Sequence, residues 1–158
     1  MDRLKVAVGS ALGLGLSPIA PGSCGALLGV LVHLAVFLSL PPLWRLPALV
    51  AAFIAVCVLH CVLTPWAQSY WQEQDPKHFV LDEVAGYLLV PILFHQGQLW
   101  QIALSGYLCF RMLDIIKVPP ARQIDRKLHG AAGILLDDLV SAGYAVLILY
   151  LLWWLGGR

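Results

Sequence analysis

Five carboxylates stand where apolar runs begin or end: Asp82 and Glu83 in "FVLDEVAGYLLV", Asp114 in "FRMLDIIKVPP", and Asp137 and Asp138 in "GILLDDLV". Acids at the edge of hydrocarbon are costly unless compensated, and they mark functional positions. Adjacent carboxylates suit a hard cation, because Mg2+ is typically held by one or two of them together with waters and substrate phosphate. A plainer reading exists for Asp82 and Glu83, since the macrodipole favours acids in the first turn of a helix. Bases accompany the acids. Arg111, Asp114 and Lys117 recur every three residues and share a face if their helix is continuous. Pro119-Pro120 then stops that helix, and Arg122, Asp125, Arg126, Lys127 and His129 follow. A loop meeting anionic headgroups would explain these bases, but it leaves Asp114, Asp137 and Asp138 without a reason. Upstream, "GLGLSPIAPGSCG" (residues 13–25) is a glycine-rich turn in which Ser17 or Ser23 could cap the next helix and free N–H groups could bind a phosphate. It lacks the G-K-[ST] ending of a Walker loop, and a tight turn with close helix packing is its simpler explanation. Acids, bases and such a turn together are what metal-assisted phosphoryl chemistry requires. A cation polarises the phosphate and activates water, Lys and Arg neutralise the oxygens, and carboxylates hold the metal or act as base.

The elements that must position these groups are apolar. The chain of 158 residues fits one domain, residues 1–158, and is 60% hydrophobic but only 12% charged, about half the charge of an average soluble domain. Its mean hydropathy is +0.82. Five apolar runs stand out: about 25–40, 47–67, 84–95, 99–113 and 139–154. A spanning helix needs about 20 apolar residues, so the second and fifth qualify comfortably. The third and fourth are short and fit a tilted hairpin, a re-entrant pair or core helices. The expected fold is therefore all-α, a multi-pass integral membrane bundle of about four to five apolar helices with cytoplasm-facing polar loops.

Charge sets the expected orientation. With five crossings and a cytoplasmic N-terminus, Arg3, Lys5, Lys77, Arg111, Lys117, Arg122, Arg126 and Lys127 fall inside, and only Arg45 and Arg158 outside. The same topology puts all nine acidic residues inside, which the positive-inside rule does not require, and that asymmetry points to a site. A formal net charge of +1 without a basic, aromatic-interleaved stripe gives no support for a nucleic-acid partner. Cys24, Cys57, Cys61 and Cys109 read as small buried hydrophobes, with no zinc-type pair among them. The start of the chain superficially looks like a signal peptide, but its glycines and prolines favour a functional turn.

The blocks "GLSPIAPGSCG", "DEVAG", "FRMLDIIKVPP", "IDRKLHG" and "GILLDDLVSAG" resemble, in order and spacing, those of the bacterial phosphatidylglycerophosphatase A family. They span most of residues 13–143. Relatives often read K-P-x-P where this chain has Lys117-Val118-Pro119-Pro120, and threonine is common where Ser23 stands. The resemblance implies a Mg2+-dependent phosphatase of the bacterial inner membrane, with its site facing the cytoplasm. It would convert phosphatidylglycerophosphate to phosphatidylglycerol and inorganic phosphate. On this reading Asp82, Glu83, Asp137 and Asp138 gather Mg2+, and Asp114 completes the metal site or orients water. Lys117 and Arg122 hold the phosphate, helped by the turn with Ser17 and Ser23. Asp82, Glu83, Asp114, Lys117 and Asp138 form the expected catalytic set.

Other phosphatase chemistries lack their residues. No cysteine precedes an arginine at the spacing of a cysteine nucleophile, and neither the haloacid-dehalogenase D-x-D nor the type-2 phosphatidate phosphatase set is present. The rival from another class is a small transporter or ion-conducting protein using the acids, which predicts acids deep in the helices and access from both sides.

Overall fold

The computed structural model describes residues 2–128 and 130–156, without the side chains of residues 125–127. Seven α-helices and one 3-10 turn make up the described fold, and no strand occurs among these residues. They are α1 (Asp2–Gly9), the turn Leu14–Leu16, α2 (Pro21–Ser39), α3 (Pro42–Trp71), α4 (Leu81–Leu93), α5 (Leu99–Ile116), α6 (Ala121–Lys127) and α7 (Gly130–Leu155).

Local sequence explains the boundaries. Proline opens α2 and α3, where a missing N–H costs nothing and the fixed φ suits the first turn. A reciprocal capping box between Gln98 and Gln101 starts α5. Gln72, in the left-handed region at φ 57°, ends α3.

Four helices are long and apolar enough to cross a membrane: α2, α3, α5 and α7, with 19, 30, 18 and 26 residues. Hydropathy alone put only two comfortably over that threshold. The other two gain length at their ends, because α2 begins four residues earlier, at Pro21, and α5 continues through Asp114 to Ile116.

The short run at 84–95 resolves as a core helix. Nine of the 13 residues of α4 are buried, and it packs against α2, α3, α5 and α7. By contrast only four of the 30 residues of α3 are buried, as suits a helix facing lipid. The main core joins Tyr87 and Val90 of α4 to Phe110 of α5 and to Ala142, Ala145 and Leu149 of α7. Inside it, His33 of α2 and Tyr87 share a hydrogen bond of 2.9 Å, which gives each buried polar ring a partner.

The bundle has two distinguishable ends. At one, the end of α2 and start of α3 meet Pro91 and His95, and Trp100 of α5 lies with Trp153 of α7. At the other, Trp66, Tyr70 and Trp71 close α3 in mutual ring contact, with Lys5 of α1 5.4 Å over the Trp66 ring. Tryptophan at both ends is the pattern of membrane–water interfaces.

Candidate active site

All five acids come together at the α3-terminal end. Asp82 and Glu83 occupy the first turn of α4, and they are not simply solvated there. Gly22 in the first turn of α2 sits so close that a Cβ would overlap the Glu83 carboxylate, and Gly25 and Gly29 admit Val80 and Tyr87 in the same way. This small-residue stripe lets α2 lie directly on α4 and brings the turn around residues 20–23 to the acids.

Successive helical residues diverge by about 100°, and α7 uses that to split its aspartates. Asp138 joins Asp82 and Glu83: the three offer carboxylate oxygens that all lie within 4.8 Å of one another. Asp137 instead accepts a 2.6 Å bond from Lys117 Nζ. Lys117 is positioned by leaving its helix, since α5 ends at Ile116 and Lys117 follows at φ 50°. The expected single face of Arg111, Asp114 and Lys117 thus holds for the first two only.

Arg111 ties three elements together. Its Nη1 lies 2.6 Å from Asp114 Oδ2 and 4.0 Å from Glu83 Oε1, and its Nε donates to Ser23 Oγ at 3.3 Å. Tyr107 adds a 3.1 Å bond from its hydroxyl to the Ser23 carbonyl.

The result is a cavity of about 370 Å³ lined by Asp82, Glu83, Asp114, Asp137 and Asp138, by Arg111, Lys117, Ser23 and Gly22, and at its rim by Asp75 and Lys77. Asp82 Oδ1, Glu83 Oε2 and Asp138 Oδ2 are buried and accept no hydrogen bond among the described residues. Buried charged oxygens left so are expensive. Burial pushes the Asp82 carboxyl well above the usual carboxylate range, and the Glu83 charge adds to this. Burial likewise pushes Glu83 up to about 7, against the pull of its Asp82 hydrogen bond and of Arg111. Three hard oxygen donors with unsatisfied lone pairs fit a divalent cation such as Mg2+.

Two expected phosphate ligands lie elsewhere. Ser17 caps no helix: its hydroxyl donates to the Ile19 carbonyl at 2.9 Å and accepts from the Ile19 N–H at 3.3 Å. Ser23 caps none either, because the N-cap of α2 is Ala20, without a side-chain bond. Arg122 is exposed on α6, away from the cavity lining. The side chains of Asp125, Arg126 and Lys127, and His129 altogether, lie outside the described residues. Sequence reasoning placed Arg111 among the bases beside the acids without naming it as a ligand, and gave no role to Gly22, Asp75 or Lys77. The three-residue step from Arg111 to Asp114 was a readable signal for Arg111, whereas Gly22 had none beyond its glycine-rich neighbourhood.

The model of the family described as phosphatidylglycerophosphatase A matches residues 7–153. The chain belongs to that family. Membership makes it a phosphatase, and with its four candidate spans it is a bacterial membrane protein. Among curated relatives, phosphatidylglycerophosphatase A of Escherichia coli is 34% identical over 87% of this chain and 77% of its own length. The Haemophilus influenzae protein of the same name is 32% identical over 87% and 82%. A Bacteroides thetaiotaomicron protein, provisionally named a phosphatidylinositol-3-phosphatase, is 30% identical over 98% of this chain and 96% of its own. No solved structure matches the chain.

Proposed function

We propose that the chain is a divalent-metal-dependent lipid phosphatase of the bacterial inner membrane. Its cytoplasm-facing cavity would remove the terminal phosphate of phosphatidylglycerophosphate, leaving phosphatidylglycerol. The observation that carries this is the convergence of Asp82, Glu83 and Asp138, with orphaned oxygens, beside Arg111 and Lys117. The names of the Escherichia coli and Haemophilus influenzae relatives supply the substrate.

Asp82, Glu83 and Asp138 are the residues that would hold Mg2+. When bound, it supplies charge neutralisation for the phosphate and a lowered pKa for water. The chain's own groups do the rest. Arg111 presents a planar fork of donors at the cavity wall, suited to phosphate oxygens. Lys117, held by Asp137, adds a second positive charge. Asp114, fixed by Arg111, is placed to orient a water or complete the metal site. In the net reaction the bond between phosphorus and the glycerol oxygen breaks. Water gives its oxygen to phosphorus and a proton to the departing alcohol.

A transporter asks for a polar route between the ends of the bundle. The apolar layer of Val90, Phe94, Ile102, Val146 and Leu149 beyond the acids favours the phosphatase. The deciding assay is phosphate release from phosphatidylglycerophosphate by purified protein in detergent, with and without Mg2+. Metal-dependent release that is lost in Asp138→Asn supports the reading. Ion flux through liposomes without hydrolysis would overturn it.

A further inference from the structure

A lipid phosphatase must admit a headgroup to buried acids while the acyl chains stay in hydrocarbon, so one wall of the cavity must open to the bilayer. Of the described residues lining the cavity, Ile115 is the one exposed large hydrophobe, at 70% exposure. It lies on the spanning helix α5, one residue from Asp114. Leu104, Leu108 and Met112 are likewise more than half exposed. With Ile115 they are spaced four, four and three residues apart, which places them on one helical face.

This stripe does not fade into the bilayer. At its far end it forms the floor of an apolar groove of about 380 Å³ between α5 and α7, where Leu104 and Leu108 face Leu149, Leu152 and Trp153. The 11 helical steps from Leu104 to Ile115 cover about 16 Å, close to half of the roughly 30 Å hydrocarbon core. That is the depth available to the acyl chain of one leaflet.

We infer that the outer face of α5 is a substrate track: an acyl chain of the lipid lies along Leu104, Leu108 and Met112, and its glycerol backbone crosses Ile115 to deliver the headgroup to the acids. The inference rests on the lipid-phosphatase reading and deepens it, since the track makes the enzyme selective for membrane-embedded phosphomonoesters over free ones. Arg111 lies between the stripe and the buried face of α5, so a phosphate passing Ile115 meets its guanidinium.

The test compares long-chain phosphatidylglycerophosphate in mixed micelles with its deacylated headgroup, which carries the same phosphates and no chains. In a Leu108→Asn/Met112→Asn variant the ratio of kcat/KM for the two substrates should fall about tenfold, through KM for the long-chain lipid. Val62→Asn, at an equally lipid-facing position of α3 with 68% exposure, should leave the ratio unchanged. An unchanged ratio in the α5 variant, or an equal fall in the α3 variant, would overturn the track. A second arm needs neither turnover nor a folded α5 variant. Phosphatidylglycerophosphate with a photoreactive acyl chain, bound to Asp138→Asn protein, should label residues 104–115 in preference to the outer face of α3, and even labelling of both faces refutes the inference. Failure of the wild type to release phosphate from either substrate would instead count against the phosphatase reading itself.

Discussion

Lys117 Nζ lies 2.6 Å from Asp137 Oδ2, across 20 residues of sequence, while the adjacent Asp138 turns to Asp82 and Glu83. Two neighbouring aspartates therefore have different work. One braces the end of α5 against α7, and the other completes an acid cluster.

The two should separate on mutation. Asp137→Ala is expected to destabilise the protein by about 1–2 kcal/mol, a modest figure because Lys117 is 29% exposed. Asp138→Asn should abolish phosphate release and leave the melting temperature of metal-free protein unchanged or raised, because it removes a like charge from the cluster. Thermal melts and turnover measured on both variants check this, and matching profiles would contradict the division.

Metal removal should act on activity and stability together. Chelation is expected to stop turnover, and Mg2+ should restore it. At about 100 times its dissociation constant the ion stabilises the fold by about 2.7 kcal/mol. Melting curves across a Mg2+ titration read this directly, and Asp82→Asn/Asp138→Asn protein should show no such rise.

Arg111→Lys keeps the charge but loses the fork that reaches Asp114, Glu83 and Ser23. A fall in kcat of about tenfold to hundredfold is expected, with the protein still folded. Full activity in the lysine variant would show that the fork geometry is dispensable.

Gly22→Ala tests the close approach of α2. The added methyl meets the Glu83 carboxylate, so a cost of about 1–3 kcal/mol and a clear loss of metal affinity should appear together. Isothermal titration with Mg2+ on the folded fraction distinguishes the two effects.

Ser23→Ala should lower turnover more than Ser17→Ala, since Ser23 receives the Arg111 bond and Ser17 bonds only its own turn. Equal losses would argue that the turn acts as a unit.

Much of this was legible in sequence, for identifiable reasons. Of the four candidate spans, α3 and α7 announce themselves by long apolar runs, because lipid-facing positions favour apolar side chains. The acids of the site stand out because hydrocarbon makes them conspicuous. What stayed hidden depends on rotation and on partners distant in sequence. Nothing in "LLDDLV" says which aspartate faces α4, because the packing of α7 on α4 and α5 decides it. The runs at 84–95 and 99–113 look alike, yet α4 is enclosed and α5 exposes one face, a difference set by their neighbours. Ser17 and Ser23 are equally plausible ligands in sequence, and only the fold separates them, by bringing Arg111 and the cavity to Ser23.

The enclosure of α4 also bears on how the protein is made. A 13-residue helix with Asp82 and Glu83 in its first turn is too short and too polar to enter a bilayer alone. The α2–α3 hairpin can insert as soon as it is synthesised, whereas α4 must wait at the interface until α5 and α7 supply its other walls. Asp138 arrives on that last helix. A chain that stops before α7 lacks Asp138 and is therefore expected to release no phosphate.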